Sequence, residues 1–123
     1  MPTVQVASNV EVADKATLVK LIEEMTDILA PAAKVPREYV HIHVMPGQTM
    51  SFGADHTTPL CQVSVMVCEG QLDVWTKNTV AKELCEPLKK AFAGLGAERT
   101  QVVFPTLTFI QIAIGGALLG DNC

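Results

Sequence analysis

The sequence predicts an α/β fold of two β-α-β units in tandem, with a four-stranded mixed sheet and two helices on one of its faces. Three observations favour this fold. Short runs of alternating or β-branched residues recur along the chain, amphipathic stripes with helical spacing lie between them, and Pro or Gly residues stand at the joints. At 123 residues a single hydrophobic core is the norm, so residues 1–123 are expected to form one domain.

The first β-α-β unit is predicted from the amino-terminal third of the chain. Residues 3–7 alternate between apolar and polar side chains, as a half-buried strand does. Asp14 is a suitable N-cap, and it precedes a stripe at spacings of 4, 3 and 4 that predicts a helix: Leu18, Ile22, Met25 and Leu29. Pro31 is expected to end this helix, and residues 39–45 alternate again and predict the second strand.

The second unit repeats this order. Residues 60–67 are apolar and β-branched enough for a buried strand. A helix is predicted over residues 74–92 from a stripe at a constant spacing of four, and Pro87 is expected to kink it: Val80, Leu84, Leu88 and Phe92. Residues 100–104 predict the fourth strand, and residues 109–114 are a candidate for a short fifth one.

Charge and hydropathy exclude two classes of partner. Thirteen Asp and Glu outnumber nine Lys and Arg, and a net charge of -4 opposes binding to a phosphate backbone, so no nucleic acid is expected. The apolar run 112–119 is far shorter than the ~20 residues that cross a bilayer, so no membrane partner is expected either. The amino end lacks the basic region and apolar stretch of a secretion signal. A cytoplasmic protein is therefore expected, and secretion by a route without a signal peptide is the alternative.

The apolar content of the chain favours self-association. Hydrophobic residues make up 49% of the chain, although it has only one Trp, one Tyr and four Phe. Two helices on one face of a sheet leave the other face uncovered, and an uncovered apolar face needs a partner. A homo-oligomer whose sheets pack around a symmetry axis is expected.

The cysteines and histidines do not predict a metal site or a cofactor. No pair has a CxxC or zinc-like spacing, and reduced thiols are the expected state of the four cysteines: Cys61, Cys68, Cys85 and Cys123. His41 and His43 are expected to share one face of a strand, but no third ligand stands at a suggestive spacing.

An ordered set of short motifs resembles the family of macrophage migration inhibitory factor and D-dopachrome tautomerase. The motifs run over nearly the whole chain: Met1-Pro2-Thr3-Val4-Gln5-Val6, Ser8-Asn9, Lys34, Met50-Ser51-Phe52-Gly53 and a strand that follows Pro59. The resemblance implies a homotrimer with active sites between neighbouring subunits. It also implies that Met1 is removed and that Pro2 becomes the amino terminus.

An amino-terminal Pro2 suits general acid-base catalysis. An α-amino group has a pKa of about 8, and desolvation or a nearby cation lowers that pKa further. A secondary amine that is neutral at pH 7 can take a proton from the carbon next to a carbonyl and return it elsewhere, which is keto-enol tautomerisation. Pro2 is therefore the candidate catalytic residue.

The resemblance implies two groups that bind substrate close to Pro2. Lys34 matches the family's lysine for a carboxylate or carbonyl oxygen, and it would also attract an anionic substrate. The family's Ser-Ile-Gly turn, whose isoleucine amide donates to the substrate, is absent. Counting from Pro59 assigns its place to Cys68, whereas counting from Cys61 assigns it to Met66.

Further departures concern the carboxyl-terminal part of the site. Gln101 and Val103 stand where a vertebrate member has a tyrosine and an asparagine, and alternation places both on one strand face. They complete the expected substrate-binding set. Phe109 or Ile110 falls in the region where one branch of the family has a tryptophan.

Three functions remain open at this point. The first is an isomerase, a phenylpyruvate- or dopachrome-type tautomerase of small anionic aromatic substrates, with a cytokine-like role beside it. The second is a secreted signalling ligand for a cell-surface receptor, with weak or vestigial tautomerase activity. The third is a hydratase or dehalogenase of the same superfamily, which the scarcity of arginines opposes because only Arg37 and Arg99 are present.

Overall fold

Two strand-helix-strand units follow one another in the chain. The computed structural model describes residues 1–119, so Cys123 lies outside the described residues. The elements in chain order are β1 (Thr3–Ser8), α1 (Lys15–Ala33), β2 (His41–Met45), β3 (Cys61–Cys68), α2 (Val74–Ala91), β4 (Thr100–Val103), β5 (Thr106–Leu107), β6 (Ala113–Ile114) and β7 (Ala117–Leu118). Three single 3-10 turns join them, at Arg37–Tyr39, Ala97–Arg99 and Phe109–Gln111.

The sheet is mixed, as predicted. Its strand order is β2-β1-β3-β4. Within each unit the two strands are parallel, as a helical crossover requires, and the two units meet through the antiparallel pair β1 and β3. The predicted tandem β-α-β architecture is confirmed.

A fifth short strand extends one edge of this sheet. β4 pairs with residues 61–64 of β3, and β5 pairs with Val67 and Cys68 farther along it. Pro105 lies between β4 and β5 and has no N–H to give to the ladder, but its carbonyl accepts from the Val67 N–H at 2.9 Å. The edge is therefore one interrupted line.

The core lies between the sheet and the two helices. Alternate residues of β3 are buried, beginning with Cys61, Val63 and Val65. They pack against one stripe from each helix: Leu21, Met25 and Leu29 of α1, and Val80, Leu84 and Leu88 of α2. The stripe predicted for α1 is wrong in part, because Leu18 and Ile22 are only half-buried and Leu21 is the residue inside.

The first helix does not end where the sequence suggested. Pro31 lies inside α1, which continues to Ala33. The chain leaves the helix at Lys34 with φ 58, and the N–H groups of Lys34 and Val35 donate to the carbonyls of Pro31 and Ala30. A proline near the end removes one backbone bond, and these two capping bonds close the final turn beyond it.

The predicted fifth strand over residues 109–114 is wrong for most of that segment. Residues Phe109–Gln111 form a 3-10 turn, in which the Gln111 side chain accepts from the Thr108 N–H at 2.9 Å. Only Ala113–Ile114 is a strand, and it forms a separate hairpin with Ala117–Leu118 rather than joining the main sheet. Polar capping within the segment therefore outweighs its apolar composition.

Among residues 1–119, both helices pack on one face of the sheet, as predicted, and the opposite, outer face is not uniformly apolar. Register places alternate residues of all four strands on it, among them Gln5, Ala7, Met45, Gln62 and Ser64. Polar and apolar side chains thus share this face. No helix in the part of the chain that the structure describes is long and apolar enough to span a membrane.

Candidate functional site

A cavity of about 510 Å³ opens beside the amino terminus. It is lined by residues from four stretches of the chain that the fold brings together: Met1, Val35, Tyr39, Cys68, Gln71, Phe109, Ile114 and Leu119. Its volume is in the range of pockets for small ligands. Among the described residues that line it there is no Asp, Glu, Lys, Arg or His side chain.

Strand register fixes the place of Pro2 beside the end of β3. Pro2 is not among the residues that line the cavity, whereas the preceding residue Met1 is. β1 and β3 are antiparallel with Thr3 opposite Met66 and Val4 opposite Val65. Continued by two residues, the same register puts Val67 opposite Pro2 and Cys68 opposite Met1. From the other neighbour, the His41 N–H donates to the Pro2 carbonyl at 3.1 Å, and Pro2 itself is buried. Pro2 therefore lies between the start of β1 and the lining residue Met1.

The surroundings of the amino terminus favour a neutral amine. Burial lowers the pKa of the Met1 amino group below its usual 8.0, and interaction with Cys68 opposes that shift. While Met1 is attached, the Pro2 nitrogen is part of a peptide bond and is not basic. An amine on Pro2 would occupy the neighbouring position in the same partly desolvated region.

Cys68 lines the cavity, but its backbone N–H already has a partner. The N–H donates to Oε1 of Gln71 at 3.0 Å. Met66 is not among the residues that line the cavity, and it lies opposite Thr3 on the outer face. Of the two positions that the sequence left open, Cys68 is thus the one at the cavity.

Gln71 is a lining residue that the sequence did not single out. Its Nε2 donates to the Met1 carbonyl, so the side chain joins the amino terminus to the end of β3. The residue lies in the turn between β3 and α2, where Gly70 has φ +75 and the Gln71 N–H donates to the Cys68 carbonyl at 3.1 Å. A glutamine in a turn carries no motif, so only the fold reveals its place.

Lys34 is not among the residues that line the cavity, but it is next in the chain to one of them. Its side chain is exposed, and its neighbour Val35 is the residue that enters the cavity. The charge of Lys34 also interacts with the carboxyl group of Asp73, two residues beyond Gln71. Hydrogen bonds from Thr76 lower the pKa of the Asp73 carboxyl most, and the charge of Lys34 adds a smaller effect in the same direction.

Gln101 and Val103 are not at this cavity within one chain. Both lie on the outer face of the sheet, opposite Gln62 and Ser64 of β3. Gln62 Nε2 donates to Gln101 Oε1 at 2.9 Å, and Val103 borders a separate hollow of about 260 Å³ on that face. Of the predicted site residues, Cys68 lines the cavity, Pro2 and Lys34 are each next in the chain to a lining residue, and Gln101 and Val103 lie on another surface.

Two aromatic residues border the cavity. Tyr39 lies in the 3-10 turn before β2, although the sequence predicted it inside the strand. Phe109 is the lining residue of the pair proposed from the sequence, and Ile110 is 70% exposed outside the lining. They give the cavity one phenol and one phenyl ring.

Neither arginine lies in the cavity lining. Arg37 forms an ion pair with Asp27 at the surface. Arg99 Nε donates to the Pro59 carbonyl at 3.1 Å and its Nη2 to the Asp55 carbonyl at 3.0 Å, while its guanidinium lies 5.5 Å from the Phe52 ring centre. Both guanidinium groups therefore have structural partners away from the amino terminus.

The described residues form no candidate metal centre. Across residues 1–119, no group of three or more His, Cys, Asp or Glu side chains could hold an ion together. His41 and His43 share the outer face of the sheet through their pairing with Thr3 and Gln5.

Comparison with known proteins gives consistent matches over the length of the chain. The family model described as Macrophage migration inhibitory factor (MIF) matches residues 1–120. A macrophage migration inhibitory factor of Xenopus tropicalis is 33% identical over 117 residues, which cover 95% of this chain and 97% of the relative.

Solved structures share the fold at lower identity. A macrophage migration inhibitory factor homologue from Prochlorococcus marinus has a TM-score of 0.84 at 24% identity, over 97% of this chain and 100% of that one. A protein crystallised after inactivation by 2-oxo-3-pentynoate has a TM-score of 0.80 at 18% identity, over 98% of both chains.

Proposed function

The chain belongs to the macrophage migration inhibitory factor family, and we propose that it is a keto-enol tautomerase in which Pro2 is the catalytic base and acid. Membership in this family and its tautomerase-like fold suggest an isomerase. The observation that supports the proline mechanism is the position of Pro2: it is buried at the start of β1 and is bonded to Met1, which lines the cavity.

The reaction requires removal of Met1, which turns the Pro2 nitrogen into a secondary amine. In the neutral form, this nitrogen takes a proton from the carbon next to the substrate carbonyl while the carbonyl oxygen gains a proton from solvent, and an enol results. In reverse, the protonated amine returns its proton to carbon and the enol oxygen loses its own. No cofactor takes part in these proton transfers.

The cavity favours a small anionic aromatic α-keto acid. Tyr39 and Phe109 offer aromatic surface, and Val35, Ile114 and Leu119 offer aliphatic surface. Lys34, next in the chain to the lining residue Val35, attracts a carboxylate, and its charge also interacts with Asp73. The described lining residues include no acidic side chain that would repel an anion. Phenylpyruvate-type compounds fit this description, and dopachrome shares the ring, the carboxylate and a carbonyl without being an α-keto acid.

The complete site is proposed to form in a homotrimer. Gln101 and Val103 lie on the outer sheet face of their own chain, so they can contact substrate only at the cavity of a neighbouring copy. The same outer face is uncovered in one chain and is available for packing around a three-fold axis.

A signalling role is the second candidate function. The engagement of the Cys68 N–H by Gln71 favours it, because the family's backbone donor to substrate would then be occupied. Under this alternative, the protein acts outside the cell on a cell-surface receptor and tautomerises poorly. Cytoplasmic residence with release by a route without a signal peptide fits both functions.

The tautomerase assay of purified protein tests the proposal. Mass spectrometry first establishes that Met1 is absent, and turnover is then measured with p-hydroxyphenylpyruvate and dopachrome methyl ester. The variant Pro2→Gly keeps an amino terminus but loses the rigid secondary amine, and its kcat is expected to fall by about 100-fold or more, the range of general acid-base catalysis.

Two results would contradict the proposal. Turnover unchanged in Pro2→Gly would exclude Pro2 as the base. A chain without Met1 that turns over neither compound but binds a receptor ectodomain would support the signalling function instead.

A further inference from the structure

The Gln71 side chain forms hydrogen bonds with two backbone groups of residues that line the cavity, the Cys68 N–H and the Met1 carbonyl. The chemistry of these two groups fixes the orientation of the Gln71 carboxamide. The Cys68 N–H can only donate, so the atom that faces it must be Oε1. Nε2 then points to the Met1 carbonyl, which can only accept. The donor end of the carboxamide is therefore directed at the amino terminus.

We propose that Nε2 of Gln71 binds the keto oxygen of the substrate and is a catalytic donor of the tautomerase. This inference rests on the proposed function. It assigns the reacting oxygen to a side chain, whereas the sequence pointed to a backbone N–H at Cys68 or Met66.

Removal of Met1 is what makes the donor available. The Met1 carbonyl is the acceptor for Nε2, and it leaves with the residue. Gln71 is half-buried, and an amide N–H there that loses its acceptor takes another hydrogen-bond partner, so the vacated position attracts an oxygen. Water fills it when the cavity is empty, and a substrate oxygen replaces the water when substrate binds.

The position of this oxygen relative to Pro2 suits the reaction. The Met1 carbonyl carbon is bonded to the Pro2 nitrogen, so the nitrogen faces the same space once that bond is gone. A reacting carbon that approaches the nitrogen lone pair enters this space, and the neighbouring carbonyl oxygen comes close to where the Met1 oxygen was. Donation from Nε2 then stabilises the negative charge that develops on the oxygen as the carbon loses its proton.

The other polar groups of the lining do not replace Gln71. The Cys68 N–H is engaged with Oε1, and Lys34 is exposed and outside the lining. Tyr39 is 53% exposed and enters from the opposite segment, before β2. The two residues therefore have separate roles: Lys34 attracts the substrate carboxylate, and Gln71 binds the keto oxygen.

Two variants of Gln71 separate catalysis from structure. Gln71→Met has similar length and lacks the donor, but it also leaves the Cys68 N–H without its side-chain acceptor. Gln71→Glu keeps an acceptor for that N–H and loses the donor at neutral pH. Gln71→Met is expected to lower kcat/KM for p-hydroxyphenylpyruvate and dopachrome methyl ester about tenfold, the loss of one hydrogen bond to a developing charge. Gln71→Glu is expected to lower kcat/KM for p-hydroxyphenylpyruvate by at least as much, because its carboxylate also repels an anionic substrate.

A second measurement, the binding of a compound without a keto oxygen, distinguishes loss of the donor from a change in the shape of the cavity. 4-Hydroxyphenylacetate has the ring and the carboxylate but no keto oxygen, so its dissociation constant in Gln71→Met should stay within about twofold of the parent value. Gln48→Met, in a loop where Gln48 Nε2 donates only to the Pro46 carbonyl, is the matched control and should keep the parent kcat/KM.

The outcomes are distinct. If the parent is active and Gln71→Glu keeps its kcat/KM within twofold, the proposal is wrong while the proline mechanism stands. If 4-hydroxyphenylacetate binding in Gln71→Met weakens as much as kcat/KM falls, Gln71 is only structural and the proposal is wrong as well. If the parent itself is inactive without Met1, the proposed function fails, and the role of Gln71 fails with it.

Discussion

Cys61 shows how strongly a single position in this fold changes the chemistry of a side chain. It is fully buried on the inner face of β3, where burial, with a smaller contribution from Cys85, raises the pKa of its thiol to about 12. Cys68, on the same strand, lines the cavity. The sequence treats both residues as similar reduced cysteines, and only their burial and surroundings separate them.

The buried thiol predicts a loss of stability in alkali. Between pH 9 and 12, Cys61 ionises in the unfolded chain, where its pKa is near the usual 9.0, but stays protonated in the folded one. The folded state then binds more protons, so its free energy of unfolding falls with rising pH by up to about 1.4 kcal/mol per pH unit. Below pH 9 the contribution is fully present.

Denaturant unfolding at pH 8 and pH 10.5 measures this effect. The difference in unfolding free energy between the parent and Cys61→Ala should shrink at the higher pH, because only the parent has the buried thiol. Cys85→Ala, at a half-buried position of α2, is the matched control and should retain most of the alkaline loss, because burial is the larger cause of the raised pKa of Cys61. An equal difference at both pH values would contradict the assignment.

At the scale of elements, periodicity in the sequence predicts the strands and helices. The predictions fail where local capping determines where an element ends or which structure forms. β1, β3 and α2 lie close to their predicted bounds because their apolar residues recur with the period of the element. Pro31 was a misleading stop signal, since a proline in the last turns removes one bond but two capping bonds at Lys34 and Val35 restore the end.

Only those residues of the candidate site could be predicted whose role follows from the residue type alone. A proline at the amino terminus has a secondary amine whatever the fold, so the role of Pro2 could be proposed from the sequence. Gln71 and Tyr39 are ordinary residues in turns, and their place depends on the antiparallel register of β1 and β3 and on a 3-10 turn. Neither feature has a signature that one sequence reveals.

For the whole molecule, the uncovered sheet face is the feature that connects fold to function. It carries both Gln101 and Val103, and it is a mixed surface in which Gln5, Gln62 and Ser64 accompany aliphatic neighbours. Such a surface is suited to specific packing between copies, because its polar groups need defined partners. The proposed trimer uses this face and would bring its residues to the cavity of a neighbour.

A charge at the centre of this face is expected to prevent assembly. Ser64 lies on the outer face of central strand β3, and Ser64→Lys would place an ammonium group where the copies meet. Sedimentation should show three chains of 13.2 kDa for the parent and single chains for the variant. Asn78→Lys, exposed on α2, is the control that should remain trimeric. A trimer in Ser64→Lys would show that the interface lies elsewhere.

The central claim is that the neutral amine of Pro2 removes the proton from the carbon next to the substrate carbonyl. The pH dependence of kcat/KM for p-hydroxyphenylpyruvate tests this claim most directly. The measurement uses the chain without Met1, between pH 5 and 9. The rate should rise with pH through an apparent pKa below the ~8 of an ordinary α-amino group, because partial burial disfavours the charged amine as it does at Met1. A rate that is constant over this range, or one that rises only above pH 8, would contradict the claim.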